Sequence, residues 1–418
     1  MSVRNAVRAA VALAALAAAG AASAFEFHGY FRDSMAVNSK GGTQVCFQLP
    51  GSDFKARLGN ECDRYLEMSF SETGKLAGDA VQWKYEFMPA SYLPSVDQTA
   101  TNSVFVQQSW GGLTIKDWDG ATIWVGRRYY RRHDVHSLDW FYWNPGQGNA
   151  TVGIDDVNIH FGKMAFNVFR MDATTLAPPT TTGLSKGVYV VPEIRAYSMP
   201  VNTNGTLEVG IDLAIAHDQG QAIGAGRAGT SPLFTVQHNQ DKLFGGSNTL
   251  VFQYGSGAFF KESGDGPGQI LAAGTTSDKQ WRIIEHLVFN PTPDWSGALV
   301  LVYQDQTRSG GGARIFTGEL RPAYQFVDYF KLAVDAFYQS LDSKESGVAT
   351  ATLLKLTIAP TFVLGRGYWA RPEIRIFATY GSWNDGAVAL AGASPMASGA
   401  FGTAKSGWTF GSSIEAWF

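Results

Sequence analysis

The sequence predicts an all-β fold, either a soluble protein or a membrane β-barrel, on three observations. Side chains alternate apolar and polar with a period of two in segments spread along the chain. No run of about 18 apolar residues follows the N-terminal segment, so no transmembrane helix is expected. The final stretch, "WTFGSSIEAWF", alternates up to an aromatic last residue, Phe418.

The first 24 residues read as a cleaved secretion signal rather than as part of the fold. Arg4 and Arg8 give a basic start, "AVALAALAAAGA" is a short apolar run, and Ala22-Ser23-Ala24 is a small-residue cleavage site. Removing 24 of 418 residues leaves 394, one domain over 25–418. At roughly 20 residues per strand with its loop, that length suits a barrel in the upper-middle part of the known range. Two cysteines, Cys46 and Cys62, lie in "QVCFQLPGSDFKARLGNECDRY". An isolated pair in an exported chain is most simply one disulfide, worth about 3 kcal/mol if unstrained; two free thiols are the alternative.

Composition narrows the class. Lys and Arg total 33 against 36 Asp and Glu, a net charge of −3, so no basic face exists for nucleic acid. Charged residues make up 17%, aromatics reach 13%, and there are 47 glycines. That balance suits a soluble all-β protein or a membrane barrel. No cofactor is expected.

The strands follow in order. "FEFHGYFR" puts Phe25, Phe27 and Phe31 on one face and Glu26, His28, Tyr30 and Arg32 on the other. "YLEMSFS" sets Leu66, Met68 and Phe70 against Tyr65, Glu67 and Ser69. "LEVGIDLAIA" sets Leu207, Val209, Ile211, Leu213 and Ile215 against Glu208, Gly210 and Asp212. "RPEIRIFATY" sets Ile374, Ile376 and Ala378 against Glu373, Arg375 and Thr379; Trp369, just before it, has the parity of Arg371. In the last stretch Trp417 lies with Glu415. Turn signals such as "MPVNTNG" and "NPTPDW" separate the segments.

In a barrel the polar face lines an aqueous lumen, yet Tyr30, Tyr65, Trp369 and Trp417 share it with charges. One reading assigns such rings to the girdle at the membrane interface. The other is a sugar path. The C–H faces of pyranose rings stack on aromatics, while their hydroxyls need donors and acceptors alongside, the strongest being charged. Weak successive contacts let a sugar slide instead of lodging.

The segment "YYRRHDVHSLDWFYW", 129–143, packs six rings among Arg131, Arg132, His133, Asp134, His136 and Asp139. A metal site on His133, Asp134 and His136 is disfavoured because the two histidines have mixed parity and no further ligand set is evident. Acid–base catalysis by Asp134 and Asp139 lacks a nucleophile motif. Charges with aromatic walls fit the selective constriction of a pore.

With these features in hand, the sequence resembles the maltoporins, the LamB-type sugar-specific porins. The matching stretches are "FEFHGYFR", "CFQ…KARLGNEC…Y.E", "TIWVGRRYYRRHDVHSLDWFYW", "GTLEVGIDLAIAH", "WARPEIRIFATYGSW" and "WTFGSSIEAWF", which run the length of the mature chain. The aromatic end is similar to the insertion signal of outer-membrane barrels. The resemblance implies an outer-membrane, 18-stranded antiparallel barrel, a homotrimer in lipid, and a third loop folded inward to narrow each pore. It implies an aromatic slide of Tyr30, Tyr65, Trp369 and Trp417, and a polar track of Arg32, Arg57, Glu67, Arg132, Asp134, His136 and Asp139.

The departures from the family pattern are specific. The slide Trp that neighbouring subunits contribute from a loop has no counterpart near "SYLPSVDQTATNS", and the track arginine of that loop is Asn102 or a neighbour. A slide Phe is missing in register near "DKLFGGSNT", where Phe244 is the nearest substitute. The tyrosine that pinches the pore is Phe141 here. The implied function is passive, sugar-selective diffusion, with maltose and maltodextrins as substrates. Its rivals are a porin for sucrose or another oligosaccharide, an outer-membrane hydrolase, and a soluble carbohydrate-binding β-sandwich.

Overall fold

A computed structural model describes residues 24–50, 52, 54–76, 78–93, 103–144, 150–173, 187–217, 229–259, 275, 277–308, 311–391 and 400–418. The signal-like segment and Asn102 therefore lie outside the described residues. Eighteen strands form one antiparallel sheet that closes on itself, the first strand, Ala24–Asn38, pairing with both the second, Arg64–Leu76, and the last, Ser406–Trp417. The seam is sealed by Gly29 N–H donating to Phe418 O (2.8 Å) and Phe418 N–H donating to Gly29 O (3.0 Å). Closure leaves no strand edge with unpaired backbone groups, the condition for a sheet to stand in lipid.

The period-two pattern decides between barrel and sandwich once burial is read. Ile211 and Ile376 on the outer face are 53% and 59% exposed, whereas Asp212 and Arg375 on the inner face are 0% and 4% exposed. A soluble sandwich with that arrangement would expose its apolar residues and bury its charges. In a bilayer the same arrangement is the favourable one. Outward rings gather near both ends of the wall. Trp295, Tyr324, Phe326, Phe330 and Phe362 touch in series beside the short turns, and Tyr380 with Trp408 (ring centres 5.0 Å) and Trp281 with Tyr303 (5.4 Å) lie toward the long loops. Such belts sit at headgroup level.

The two ends of the barrel differ as the turn chemistry requires. Strands Gly187–Asn202 and Gly205–His217 are joined by Thr203-Asn204, with Asn204 at φ 61°. Strands Thr230–Leu243 and Gly246–Ser256 are joined by Phe244-Gly245, where Gly245 takes φ 73°. Left-handed residues of this kind make tight hairpins with the twist of the strands. Residues 24 and 418 lie at this short-turn end.

The barrel is not hollow. The third long loop, between strands Ala121–Arg127 and Ala150–Asn158, folds inward as expected. So does the first, between residues 38 and 64, of which the sequence reading places only Arg57 inside. Phe47, Leu49 and Phe54 of the first loop pack with Val135, Leu138, Trp140 and Trp143 of the third, making an apolar core in the lumen. The wall holds the first loop by its backbone: Lys355 Nζ donates to Leu58 O (3.1 Å) and Thr379 Oγ1 to Gly59 O (3.1 Å). Loop meets loop where Arg57 N–H donates to Ser137 O (2.9 Å).

Cys46 and Cys62 are bonded, with Cα atoms 5.9 Å apart, and the bridge ties the two limbs of the first loop. A non-reduced tryptic digest should yield the Cys46 and Cys62 peptides linked, at the separation of 16 residues that the loop spans. Recovery of both as alkylated thiols would contradict the bridge.

Candidate functional site

The site is built by the third loop. Its chain makes a short hairpin, His133–Val135 with Trp140–Trp143, closed by a 3-10 turn at His136–Leu138. Asp139 ends that turn at φ 54°, a conformation that Asp tolerates better than most residues. In "WFYW" three rings turn away from the cavity, toward the wall or the first loop. Trp140 packs edge-on to Phe54 (4.4 Å), Tyr142 Oη donates to Gln237 Oε1 (2.6 Å), and Trp143 Nε1 donates to Asp212 Oδ2 (3.1 Å). Phe141 alone of the four turns into the open space.

Wall arginines hold the loop's backbone. Arg195 donates to Arg131 O (2.9 Å), Arg282 to Tyr142 O (3.0 Å) and Arg321 to Ser137 O (3.2 Å), while the Ser137 hydroxyl donates to Glu319. Each such bond has a charged donor, the stronger kind.

A cavity of about 460 Å³ remains between the two inward loops, the first four strands and the last. Its lining brings together Tyr30, Tyr65, Trp417, Arg32, Arg57, Glu67, Arg132, Asp134, His136, Asp139 and Phe141. Trp369 stands outside this lining, but its ring lies 6.2 Å from that of Trp417. The cavity also includes Lys55, Asp63, Tyr92, Gln107 and Tyr129, which the sequence reading did not single out. Phe244, at the short-turn end, is 63% exposed and makes no ring contact with these residues among those described. His133 points elsewhere, its Nε2 3.1 Å from Glu208, while His136 Nε2 is 3.0 Å from Glu415. The two histidines thus serve opposite walls.

Most of the charges are already paired. Arg32 binds Asp63 through Nε (3.0 Å) and Nη2 (2.8 Å) and reaches Asp139 at 3.4 Å, where Lys55 also lies (3.5 Å). Arg57 holds Glu61, Glu415 (3.0 Å) and the Tyr30 hydroxyl, to which it donates. Glu415 also takes Arg371 (2.8 Å) and Arg375 (2.5 Å). Glu67 accepts from Tyr65 (2.7 Å) and Tyr129 (3.1 Å). Arg132 and Asp134 differ: neither makes an ion pair or side-chain hydrogen bond among the described residues. The Arg132 guanidinium is clamped between the rings of Tyr129 (4.1 Å) and Phe141 (4.5 Å), so its edge faces the cavity.

Two loop groups have shifted protonation. Burial pushes the Asp139 carboxyl up, but Arg32, Lys55 and Arg57 outweigh it and hold Asp139 well below the ordinary carboxylate range. Burial and then the Arg57 charge push the His136 imidazole below its usual 6.5, against the pull of Glu415. Asp139 is therefore a fixed anion and His136 a neutral hydrogen-bonding ring at pH 7. A carboxylate so held is no general acid.

Comparison with known proteins agrees with this architecture. A family model described as LamB porin matches residues 25–418. Among solved structures, Salmonella typhi OmpF in complex with daunomycin is similar at a TM-score of 0.50 and 10% identity, covering 94% of this chain and 97% of that one. A loop L8 deletion mutant of OmpT, an outer membrane protein of Vibrio cholerae, matches at a TM-score of 0.43 and 10% identity, covering 95% and 100%. At such identity the likeness to OmpF shows the fold alone.

The geometry sets two expectations. Because the unfolded chain takes up a proton at His136 near pH 6.5 and the folded barrel resists it, stability should fall as pH drops below about 6.5. His136→Gln should flatten that decline in urea unfolding from detergent; an unchanged slope would mean that His136 does not contribute it. Phe141→Ala should raise single-channel conductance, since this ring alone of the four enters the cavity. Parental conductance in Phe141→Ala would place the narrowest point elsewhere.

Proposed function

The chain belongs to the LamB porin family and is a passive outer-membrane channel, not an enzyme; on that premise we propose that its pore selects sugars, maltose and maltodextrins first. The observation that carries the reading is the pairing of rings with unengaged polar groups along one cavity. Tyr65, Tyr30, Trp417 and Trp369 follow one another at 6.1, 6.5 and 6.2 Å between ring centres. The same cavity holds Arg132 and Asp134, a donor and an acceptor that make no ion pair or side-chain hydrogen bond among the described residues. A linear oligosaccharide has the matching chemistry: C–H faces for the rings, hydroxyls for the charges.

The remaining track residues act at one remove in this reading. Arg32 holds Asp139, Arg57 holds His136, and Glu67 is held by Tyr65 and Tyr129, so that each presents its free edge, and Phe141 sets the width. The homotrimer, and the removal of residues 1–24 on export, are carried by the family and belong to the same proposal. Sucrose or another oligosaccharide is the second reading. Phe141 favours it, because the phenolic hydroxyl that the family places there is absent and the hydrogen bonding at the pinch differs.

The test is sugar-induced block of ion current in planar bilayers. Linear glucose oligomers should close the parent channel reversibly. Trp369→Ala should weaken that block about two- to tenfold, the scale of one ring contact, with open-channel conductance nearly unchanged. Block of equal strength in Trp369→Ala would remove that ring from the path. No block of the parent by any glucose oligomer or by sucrose would overturn the sugar reading.

A further inference from the structure

We propose that Tyr92 is a further rung of the sugar path, supplied by the chain's own wall at the long-loop side of the cavity. The inference rests on the sugar-channel reading and deepens it. Tyr92 is the penultimate residue of the strand Val81–Leu93 and lines the same cavity as Tyr65 and Tyr30. It is the direct cross-strand partner of Tyr65, and the two ring centres are 6.4 Å apart at 63°.

With Tyr92 included, five rings form a single file: Tyr92, Tyr65, Tyr30, Trp417 and Trp369, at steps of 6.4, 6.1, 6.5 and 6.2 Å. Among the described residues the ring contacts within the file join only successive members, so it is a line and not a cluster. The spacing varies by less than half an ångström, although the members come from four strands and one turn. Trp369 lies in the turn before Glu373–Trp383, at the short-turn end. Tyr92 lies where its strand meets a long loop. The file therefore runs from the short-turn end toward the long loops, with Tyr92 its outermost member on that side. Its neighbour Tyr65 is fixed by two hydroxyl hydrogen bonds, donating to Glu67 (2.7 Å) and accepting from Gln107 Nε2 (2.9 Å), so the pair is braced where a sugar would touch it.

A terminal rung has a signature that a structural residue lacks. It is reached only by ligands long enough to occupy the rest of the file as well. The experiment is current block by linear glucose oligomers from the disaccharide to the hexasaccharide, added to either side of a bilayer. Tyr92→Ala should weaken block by the hexasaccharide about two- to tenfold and leave the disaccharide nearly unchanged. The association rate should fall most for sugar added at the long-loop side. Tyr92→Phe should behave as the parent, because the ring and not the hydroxyl carries the contact. Tyr92→Leu, which keeps the apolar volume, serves where the alanine variant fails to assemble and should show the same length-dependent loss. Parental block of every length in Tyr92→Ala or Tyr92→Leu, or equal loss at all lengths, would overturn the role of Tyr92 while the sugar channel stands. A parent channel that no oligomer blocks would overturn both.

Discussion

The structure depends on the wall's charges holding the inward loops. An 18-stranded barrel with a polar inner face encloses far more space than one cavity of about 460 Å³. Among the described residues the first and third loops occupy much of that space, and both bring backbone carbonyls into the lumen. Arg195, Arg282, Arg321 and Lys355 meet those carbonyls directly, each a buried cation that would be costly without a partner. Loop and wall therefore satisfy each other. The loops' apolar side chains then pack in the space between, so the pore is lined by side chains that contact one another and the wall.

That arrangement sets the character of the opening. Arg32, Lys55, Arg57 and Arg132 face Asp63, Glu67, Asp134 and Asp139 around the cavity, equal numbers of each sign. Close pairing cancels the field that a strongly charged ring would exert on ions. What remains locally is a set of fixed hydrogen-bonding directions. Such a surface suits a neutral polyhydroxy ligand better than a charged one, in keeping with the proposed sugar path.

Much of this was legible in the sequence because a strand's side-chain period is two. Reading "FEFHGYFR" and "RPEIRIFATY" by parity put Tyr30, Arg32, Glu373 and Arg375 on the inner face, where they lie. The family resemblance supplied strand number and the inward third loop. Three things escaped. The first loop's entry into the lumen has no periodic signal, being irregular chain held by contacts with Gln339, Lys355 and Thr379, all distant in sequence. Gln107 reaches the cavity because a bulge between Met88/Pro89 and Gln108/Val106 shifts the register, which local alternation does not announce. Tyr92 does share the parity of Lys84 and Glu86, but Pro89 interrupts the pattern before it.

The central claim is that passage is governed by ring contacts and fixed polar groups, not by girth alone. Swelling of liposomes carrying the purified channel compares the two directly. A linear glucose trisaccharide and a polyethylene glycol of equal mass are both neutral and flexible, but only the sugar has faces to stack and a dense row of hydroxyls. The account predicts faster entry of the trisaccharide. Equal rates, or faster entry of the polyether, would describe a plain sieve and contradict it.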